Sequence, residues 1–188
     1  MTLWAYTGFI GLLALERLYE LKLSKQNSAK AFANGALEVG LRHYRVMTAF
    51  HTAFLVSCVV EPWLLLREFP GVPGLIALVF ALLAQSLRYW AISTLGDKWN
   101  TRVIVMPGTA PITGGPYRFI KHPNYVAVVV ELVAVPLIYG SWITAAVFSI
   151  GNAALLAVRI RAEERALGEK WQAAFAGKGR FIPGGKGD

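Results

Sequence analysis

The longest stretch without a charged side chain runs from Leu132 to Val158. Together with the apolar residues just before it, a single helix here would measure about 54 Å, far more than the roughly 30 Å of a bilayer's hydrocarbon core. Gly140-Ser141 lies near the middle and favours a break in the helix. The stretch therefore predicts two short membrane-spanning helices, over 123–139 and 142–158.

Three further apolar segments precede this stretch and agree with a membrane protein. They cover 3–21, 46–66 and 74–92, and each is close to the about 20 residues that a membrane-spanning helix needs. Hydrophobic residues make up 55% of the chain and charged residues 16%, which is less charge than a soluble domain carries. We expect an all-α membrane protein of about five transmembrane helices, with the first helix retained as part of the protein.

The positive charges are concentrated in three segments. The ranges 22–45, 88–121 and 159–188 hold 17 of the 19 Lys and Arg residues. Five helices place all three ranges on one side of the membrane, whereas four helices would divide them. Because positive charge marks the cytoplasmic side, we expect an outside N-terminus and a cytoplasmic C-terminus. Cations at a membrane surface explain the net charge of +8, so we expect no nucleic-acid partner.

The chain forms a single domain, 1–188, in which three parts can be distinguished. A three-helix part covers 1–92, a part with the polar site covers 93–176, and a Gly-rich tail covers 177–188. An amphipathic helix is expected to continue the last span towards residue 176. The tail is expected to be mobile, although Arg180 to Pro183 has a composition that can pack back. A single cysteine excludes a disulfide framework, and no set of side chains has metal-ligand spacing, so no metal is expected.

A polar run stands directly before the last apolar stretch, from Gly114 to Tyr125. Its Gly-Gly-Pro start is a turn, and aromatic and cationic side chains follow it at the mouth of a predicted helix. The loop over 99–102 and the residues 159–164 are expected on the same side of the membrane. Together these elements offer cations, aromatic rings and two carboxylates, which suit a ligand with an anionic end, a planar ring and a positive centre.

The polar run and a second motif resemble the isoprenylcysteine carboxyl methyltransferase family. The residues that carry the resemblance are Gly115-x-Tyr117-Arg118-x-x-Lys121-His122-Pro123-x-Tyr125 and Glu163-Glu164-x-x-Leu167. Lys121 stands where the family usually has arginine. Other parts of the sequence resemble a narrower bacterial subgroup, which is similar to alkylpyrone or alkylresorcinol O-methyltransferases. These parts are Leu95 to Arg102, His43-Tyr44, His51, Glu61 and Val129 to Leu132. This subgroup implies the inner membrane of a bacterium.

The resemblance implies that S-adenosylmethionine is the cofactor and that a lipophilic oxygen compound accepts the methyl group. The residues that it implies for the cofactor are Ile112, Thr113, Gly115, Tyr117, His122, Tyr125 and Glu164. Arg159 matches a family arginine near the transfer site. On the acceptor side we expect Trp99, Asn100, His51 and Glu131. Glu131 lies inside a predicted span, where it is either a polar group or base at the acceptor pocket or a structural partner of Arg17, Arg88 or His51.

Several alternatives stay open at this point. A phenolic or pyrone polyketide lipid is the first candidate acceptor, and the carboxylate of a prenylcysteine is the second. His122 has the alternative role of capping the turn before Pro123. His51 has the alternative role of a histidine that is hydrogen-bonded between helices, and Glu163 that of a carboxylate that faces solvent. A non-enzymatic transporter or assembly factor is the competing class, and it predicts polar residues along several spans. The polar residues of this chain concentrate at one face instead, which favours an enzyme.

Overall fold

The computed structural model of the protein describes residues 1–184, with all side chains among them except those of Leu41 and Arg42. Most of these residues are helical, so the prediction of a mainly α-helical chain is confirmed. The helices are α1 (Leu3–Ala33), α2 (Leu41–Leu64), α3 (Val72–Leu95), α4 (Pro123–Leu137) and α5 (Trp142–Ala174). Two three-residue strands, β1 (Leu37–Val39) and β2 (Val103–Val105), and single 3₁₀ turns at Gly96–Lys98 and Gly115–Arg118 lie between the helices.

Three helices of the described part are long and apolar enough to cross a membrane. They are His43–Leu64, Val72–Lys98 and Trp142–Ala174. α4 is apolar but has only 15 residues, or about 22 Å, and α1 carries charged residues in its middle. The five-pass topology and its orientation therefore stay predictions.

The predicted break before α5 is confirmed. α4 ends at Leu137 and α5 begins at Trp142, and Gly140 between them has a φ of 71°, which favours glycine. The Ser141 N–H donates to the Pro136 carbonyl at 3.0 Å and closes the turn. α5 continues past the last apolar turns to Gly168, where the backbone is non-helical and the helix is kinked, and a second helical segment then reaches Ala174. Up to Gly168 the amphipathic extension is a direct continuation of the last apolar helix.

A carboxylate of α2 caps the first turn of α5. Glu61 is buried, and its Oε2 accepts a hydrogen bond from the Thr144 N–H at 2.7 Å. The same carboxylate forms an ion pair with Arg67 at 3.1 Å. Because helix N-termini carry unpaired N–H groups and a partial positive charge, an anion there stabilises the helix. This contact fixes α5 against α2 at the end of the bundle opposite the polar run.

α1 is longer than the sequence predicted. The apolar segment expected over 3–21 is only the first part of the helix, which continues to Ala33, and α2 already begins at Leu41. Ser24, Asn27 and Ser28 share one face of the extension and are buried. Their partners lie in the loop after α3. The extension is stabilised by polar contacts, which a hydropathy pattern does not reveal.

The segment between α1 and α2 contains a short strand. β1 pairs antiparallel with β2, with Leu37 opposite Val105 and Val39 opposite Val103. The β-branched run over 103–105 is visible in the sequence, but its partner strand is 64 or more residues away in the chain. The two-stranded sheet covers one side of the polar site.

Candidate active site

Two cavities meet at the end of the bundle where the polar run lies. The larger has a volume of about 910 Å³ and lies between the polar run, the two strands and the second half of α5. The smaller has a volume of about 190 Å³ and lies among the helices, next to Leu13, Phe54 and Leu132. The residues that line both cavities are Trp99, Asn100, Asn124, Tyr125 and Arg159. A group transferred from one cavity to the other would pass these side chains.

Stacked aromatic rings form one wall of the larger cavity. The His122 ring lies 5.2 Å from the Tyr125 ring and 5.6 Å from the Trp171 ring, and Trp171 contacts Phe175 at 4.7 Å. Tyr117 packs against Trp171 and Phe175 in the same cluster. Burial, aided by the negative charge of Glu163, raises the pKa of the Tyr117 hydroxyl. Tyr117 is therefore a neutral hydrogen-bonding group at neutral pH.

Glu164 holds His122 and the C-terminal segment together. The His122 Nε2–H donates to Glu164 Oε1 at 3.0 Å, and Arg180 donates to both carboxylate oxygens, at 2.9 and 2.7 Å. The side chain of His122 makes no capping bond at the start of α4, so its role as a cap is excluded. The imidazole is instead fixed in orientation by the carboxylate behind it.

The segment after Gly177 packs against the polar run. The backbone N–H groups of Lys121 and His122 donate to the carbonyls of Gly179 and Arg180, at 3.0 and 3.1 Å. The Lys178 Nζ donates to the Tyr117 carbonyl at 3.1 Å. The expected mobility of the tail stays a prediction for residues 185–188, which lie outside the described residues. Residues 178–180 form part of the site's supporting structure.

Arg159 and Glu163 meet at the hydroxyl group of Tyr125. Arg159 is buried, and its Nε donates to Tyr125 Oη at 2.7 Å while its Nη2 donates to the Thr101 carbonyl at 2.7 Å. The Tyr125 hydroxyl donates in turn to Glu163 Oε2. Arg159 and Glu163 are four residues apart on α5, so they share one helix face. A cation, a phenol and a carboxylate thus form a connected chain where the cavities meet.

The loop from Trp99 to Thr101 is fixed by the extension of α1. Asn27 Nδ2 donates to the Trp99 carbonyl at 2.8 Å, and the Ser24 hydroxyl lies 2.6 Å from Asn100 Oδ1 and 2.8 Å from Thr101 Oγ1. Trp99 is 3% exposed. The loop is thus held by buried polar contacts, and both Trp99 and Asn100 lie where the cavities meet.

A network of charged residues lines the other end of the smaller cavity. Glu20 accepts hydrogen bonds from Arg88 at 2.6 Å and from Arg17 at 2.8 Å. Arg17 also donates to Glu131 at 3.0 Å, and Arg88 lies 3.8 Å from the same carboxylate. Glu131 is thus paired with arginine, as the structural alternative expected, and it also lines the smaller cavity; its role at an acceptor pocket stays a prediction. His51 lines the smaller cavity as well.

The cavities bring together most of the residues expected from the sequence. Ile112, Tyr117, His122 and Tyr125 line the larger cavity together with Trp99, Asn100 and Arg159, whereas Thr113, Gly115 and Glu164 do not line it. His51 and Glu131 line only the smaller one. Gly115 has a φ of 53°, and a Cβ there would lie 2.2 Å from Thr94 Oγ1. Close packing against α3 therefore already requires glycine at this position.

Sequence reasoning missed three contributors to the site. Glu163 was expected to face solvent, but it is half-buried and lines the larger cavity. Asn124 lines both cavities and Trp171 lines the larger one. The four-residue spacing from Arg159 to Glu163 indicates that both side chains lie on the same face of a helix, and it could have placed Glu163 at the site. Asn124 stands inside the polar run, so its place at the start of α4 also pointed to the site.

Comparisons with known proteins assign the chain to a family. The model of the isoprenylcysteine carboxyl methyltransferase (ICMT) family matches residues 76–169, which include most of α3, the polar run, α4 and most of α5. The chain is 41% identical over 160 residues to "Uncharacterized protein YpbQ" of Bacillus subtilis (strain 168), covering 85% of this chain and 95% of that protein. It is 27% identical over 154 residues to an "Uncharacterized protein" of Haemophilus influenzae, covering 80% of this chain and 88% of that protein. The chain belongs to the isoprenylcysteine carboxyl methyltransferase family.

Proposed function

We propose that this protein is an S-adenosylmethionine-dependent O-methyltransferase of the membrane, acting on a phenolic or pyrone polyketide lipid. The observation that carries the proposal is the meeting of two cavities at Tyr125 and Arg159, a wide one beside the polar run and a smaller one between the helices. A transferase needs such a junction, because its two substrates must approach each other while water is kept away.

The larger cavity has the side chains that the cofactor requires. Tyr117, Trp171 and Phe175 offer aromatic surface for the adenine ring. His122 offers a fixed ring, and Glu163 offers an anion for an amine or a ribose hydroxyl. When bound, S-adenosylmethionine supplies a methyl group on a positively charged sulfur, which keeps the bonding electron pair as the methyl group leaves. The volume of about 910 Å³ accommodates a molecule of this size.

The smaller cavity is the proposed acceptor site. Its volume of about 190 Å³ is below the range of cavities that enclose a drug-sized ligand, so it admits a head group while the aliphatic tail stays in the bilayer. Arg159 stands at the junction, where its positive charge stabilises an ionised acceptor oxygen. Catalysis in this proposal consists mainly of holding the acceptor oxygen close to the methyl group and excluding water.

A carboxylate acceptor is the second candidate, and Arg159 favours it as well. The carboxylate of a prenylcysteine is already ionised at neutral pH, and a buried guanidinium is a good partner for it. The two candidates differ in what they need from the protein, because a phenol must lose a proton and a carboxylate has none to lose. In both cases we propose that the larger cavity opens to the cytoplasm, where the soluble cofactor is found.

Methyl transfer with the purified protein in lipid nanodiscs tests the function. We expect calorimetry to show binding of S-adenosylmethionine, and we expect label from its methyl group to enter an alkylresorcinol or an alkyl hydroxypyrone more rapidly than a farnesylcysteine analogue. Faster labelling of the farnesylcysteine analogue would favour the second candidate. No cofactor binding in a folded sample would refute the proposal.

A matched pair of arginine variants tests the site. Arg159→Ala should reduce transfer by about 10²-fold or more, since removing one stabilising donor has effects of this size. Arg165→Ala removes an exposed arginine of the same helix and should leave transfer unchanged. If both variants retain full activity, the junction is not the transfer site.

A further inference from the structure

We propose that Tyr125 and Glu163 carry the acceptor's proton out of the smaller cavity and into the larger one. The inference rests on the proposed function and adds what that function leaves open, namely where the proton of a hydroxyl acceptor goes. It concerns acceptors that arrive as neutral phenols, because these ionise only near pH 10.

The hydrogen bonds of Tyr125 already have the direction that such a transfer requires. Its oxygen accepts a hydrogen bond from Arg159 Nε at 2.7 Å, and its proton is donated to Glu163 Oε2. A phenolic oxygen has one proton to donate and two positions at which it accepts. Among the described residues only Arg159 occupies one of those positions, so an acceptor hydroxyl in the smaller cavity has a place to donate.

The positions of the two residues give the route its direction. Tyr125 is 8% exposed and lines both cavities, whereas Glu163 lines only the larger one. A proton that reaches Glu163 has therefore left the acceptor cavity. Tyr125 can link the two spaces because it lines both of them and is hydrogen-bonded to Glu163.

The other bases of the smaller cavity are less suited to this role. Glu20 and Glu131 are both paired with arginine, and protonating either one would leave a buried guanidinium with less counter-charge. His51 and Glu131 line the smaller cavity but not the larger one. A proton taken by either residue would stay inside the bundle.

The proposed step is balanced in protons and electrons. The acceptor O–H bond breaks and its proton joins the Tyr125 oxygen, while the former proton of Tyr125 moves to Glu163 Oε2. The acceptor oxygen keeps the electron pair and uses it for the new bond to the methyl carbon. Glu163 then releases the proton to water in the larger cavity. The charge of Arg159 stabilises the negative charge that develops near Tyr125 during the transfer.

Acceptors of different acidity separate this role from a structural one. In Glu163→Gln we expect transfer to a long-chain alkylresorcinol to fall by about 10²-fold at neutral pH, in the range of general base catalysis. Transfer to a long-chain alkyl hydroxypyrone should fall by only a few-fold, because the more acidic pyrone ionises without a base. Glu68→Gln, which removes an exposed carboxylate between α2 and α3, is the matched control and should leave both rates unchanged.

An equal loss for both acceptors would overturn the inference. So would a rise in the cofactor's Kd that accounts for the whole loss, since Glu163 would then act by binding the cofactor. Failure of the proposed function looks different, because the wild-type protein would neither bind S-adenosylmethionine nor transfer its methyl group.

A binding measurement without cofactor gives a second test. Tyr125→Phe removes the oxygen that is proposed to accept the acceptor's hydrogen bond. We expect the alkylresorcinol to bind about five- to tenfold more weakly to this variant, as for the loss of one hydrogen bond. The dimethyl ether of the same lipid has no proton to donate and should bind wild type and variant equally. Equal weakening for the lipid and its ether, or no weakening for either, would contradict the role of Tyr125.

Discussion

Replacing Gly115 by alanine tests whether packing or cofactor contact requires glycine in the polar run. The residue has a φ of 53°, and an added Cβ would lie 2.2 Å from Thr94 Oγ1 and 2.9 Å from Thr94 Cγ2. The left-handed backbone conformation costs about 1–2 kcal/mol for alanine, and forcing an extra carbon into a packed contact costs about 1–3 kcal/mol. We therefore expect the free energy of unfolding to fall by roughly 2–5 kcal/mol.

The double variant with Thr94→Ala separates the two contributions. It removes the two nearest atoms of residue 94 and leaves a Cβ contact of 3.1 Å. The packing part of the loss, about 1–3 kcal/mol, should be recovered, while the conformational part should remain. Chemical denaturation in mixed micelles measures the stability of each variant, and calorimetry measures its Kd for S-adenosylmethionine.

Two results would refute this reasoning. The first is a Gly115→Ala protein as stable as the wild type. The second is a loss of cofactor affinity of the same size in the single and the double variant at unchanged stability. The second result would show that glycine is needed for the cofactor's approach, in line with the place that the family resemblance implies for Gly115.

Three further substitutions test contacts around the site. Glu131→Gln should lower the free energy of unfolding by ~2 kcal/mol, because Arg17 loses a charged partner; unchanged stability with lost methyl transfer would identify Glu131 as a base instead. Glu61→Gln should cost about 1–2 kcal/mol by weakening the cap of α5, and calorimetry should find cofactor affinity intact. Arg180→Ala should weaken cofactor binding about tenfold through the loosened Glu164 carboxylate, in line with the loss of a charged hydrogen-bonding partner. The same loss in Glu164→Gln and in the double variant would confirm one shared contact, whereas additive losses would contradict it.

The helices of this protein could be predicted because membrane helices follow from hydropathy and length. Gly140-Ser141 correctly marked the break before α5, since an apolar stretch of this length exceeds the bilayer thickness. The extension of α1 was missed because its buried face consists of Ser24, Asn27 and Ser28. Serine and asparagine usually indicate a loop, and only their partners in the distant Trp99 loop reveal that they support a helix.

The site could be predicted as a set of residues but not as a set of contacts. Glu163 and Glu164 are neighbours in sequence, yet they point to different partners because successive residues of a helix face different directions. One carboxylate reaches the Tyr125 hydroxyl and the other reaches His122 and Arg180. Motif resemblance gave the pair together and could not assign the two roles.

The continuity of α5 has a thermodynamic consequence. Arg159 reaches both cavities, and Glu163 stands one turn further along the same rigid helix. Under the proposed function, the acceptor at Arg159 and the cofactor near Glu163 would therefore contact neighbouring turns of one helix. Linkage requires that the acceptor raise the cofactor's affinity by the same factor by which the cofactor raises the acceptor's. If the proposed function holds and this coupling is favourable, the protein would bind S-adenosylmethionine more weakly in a membrane without the acceptor lipid, and its occupancy would follow the supply of lipid.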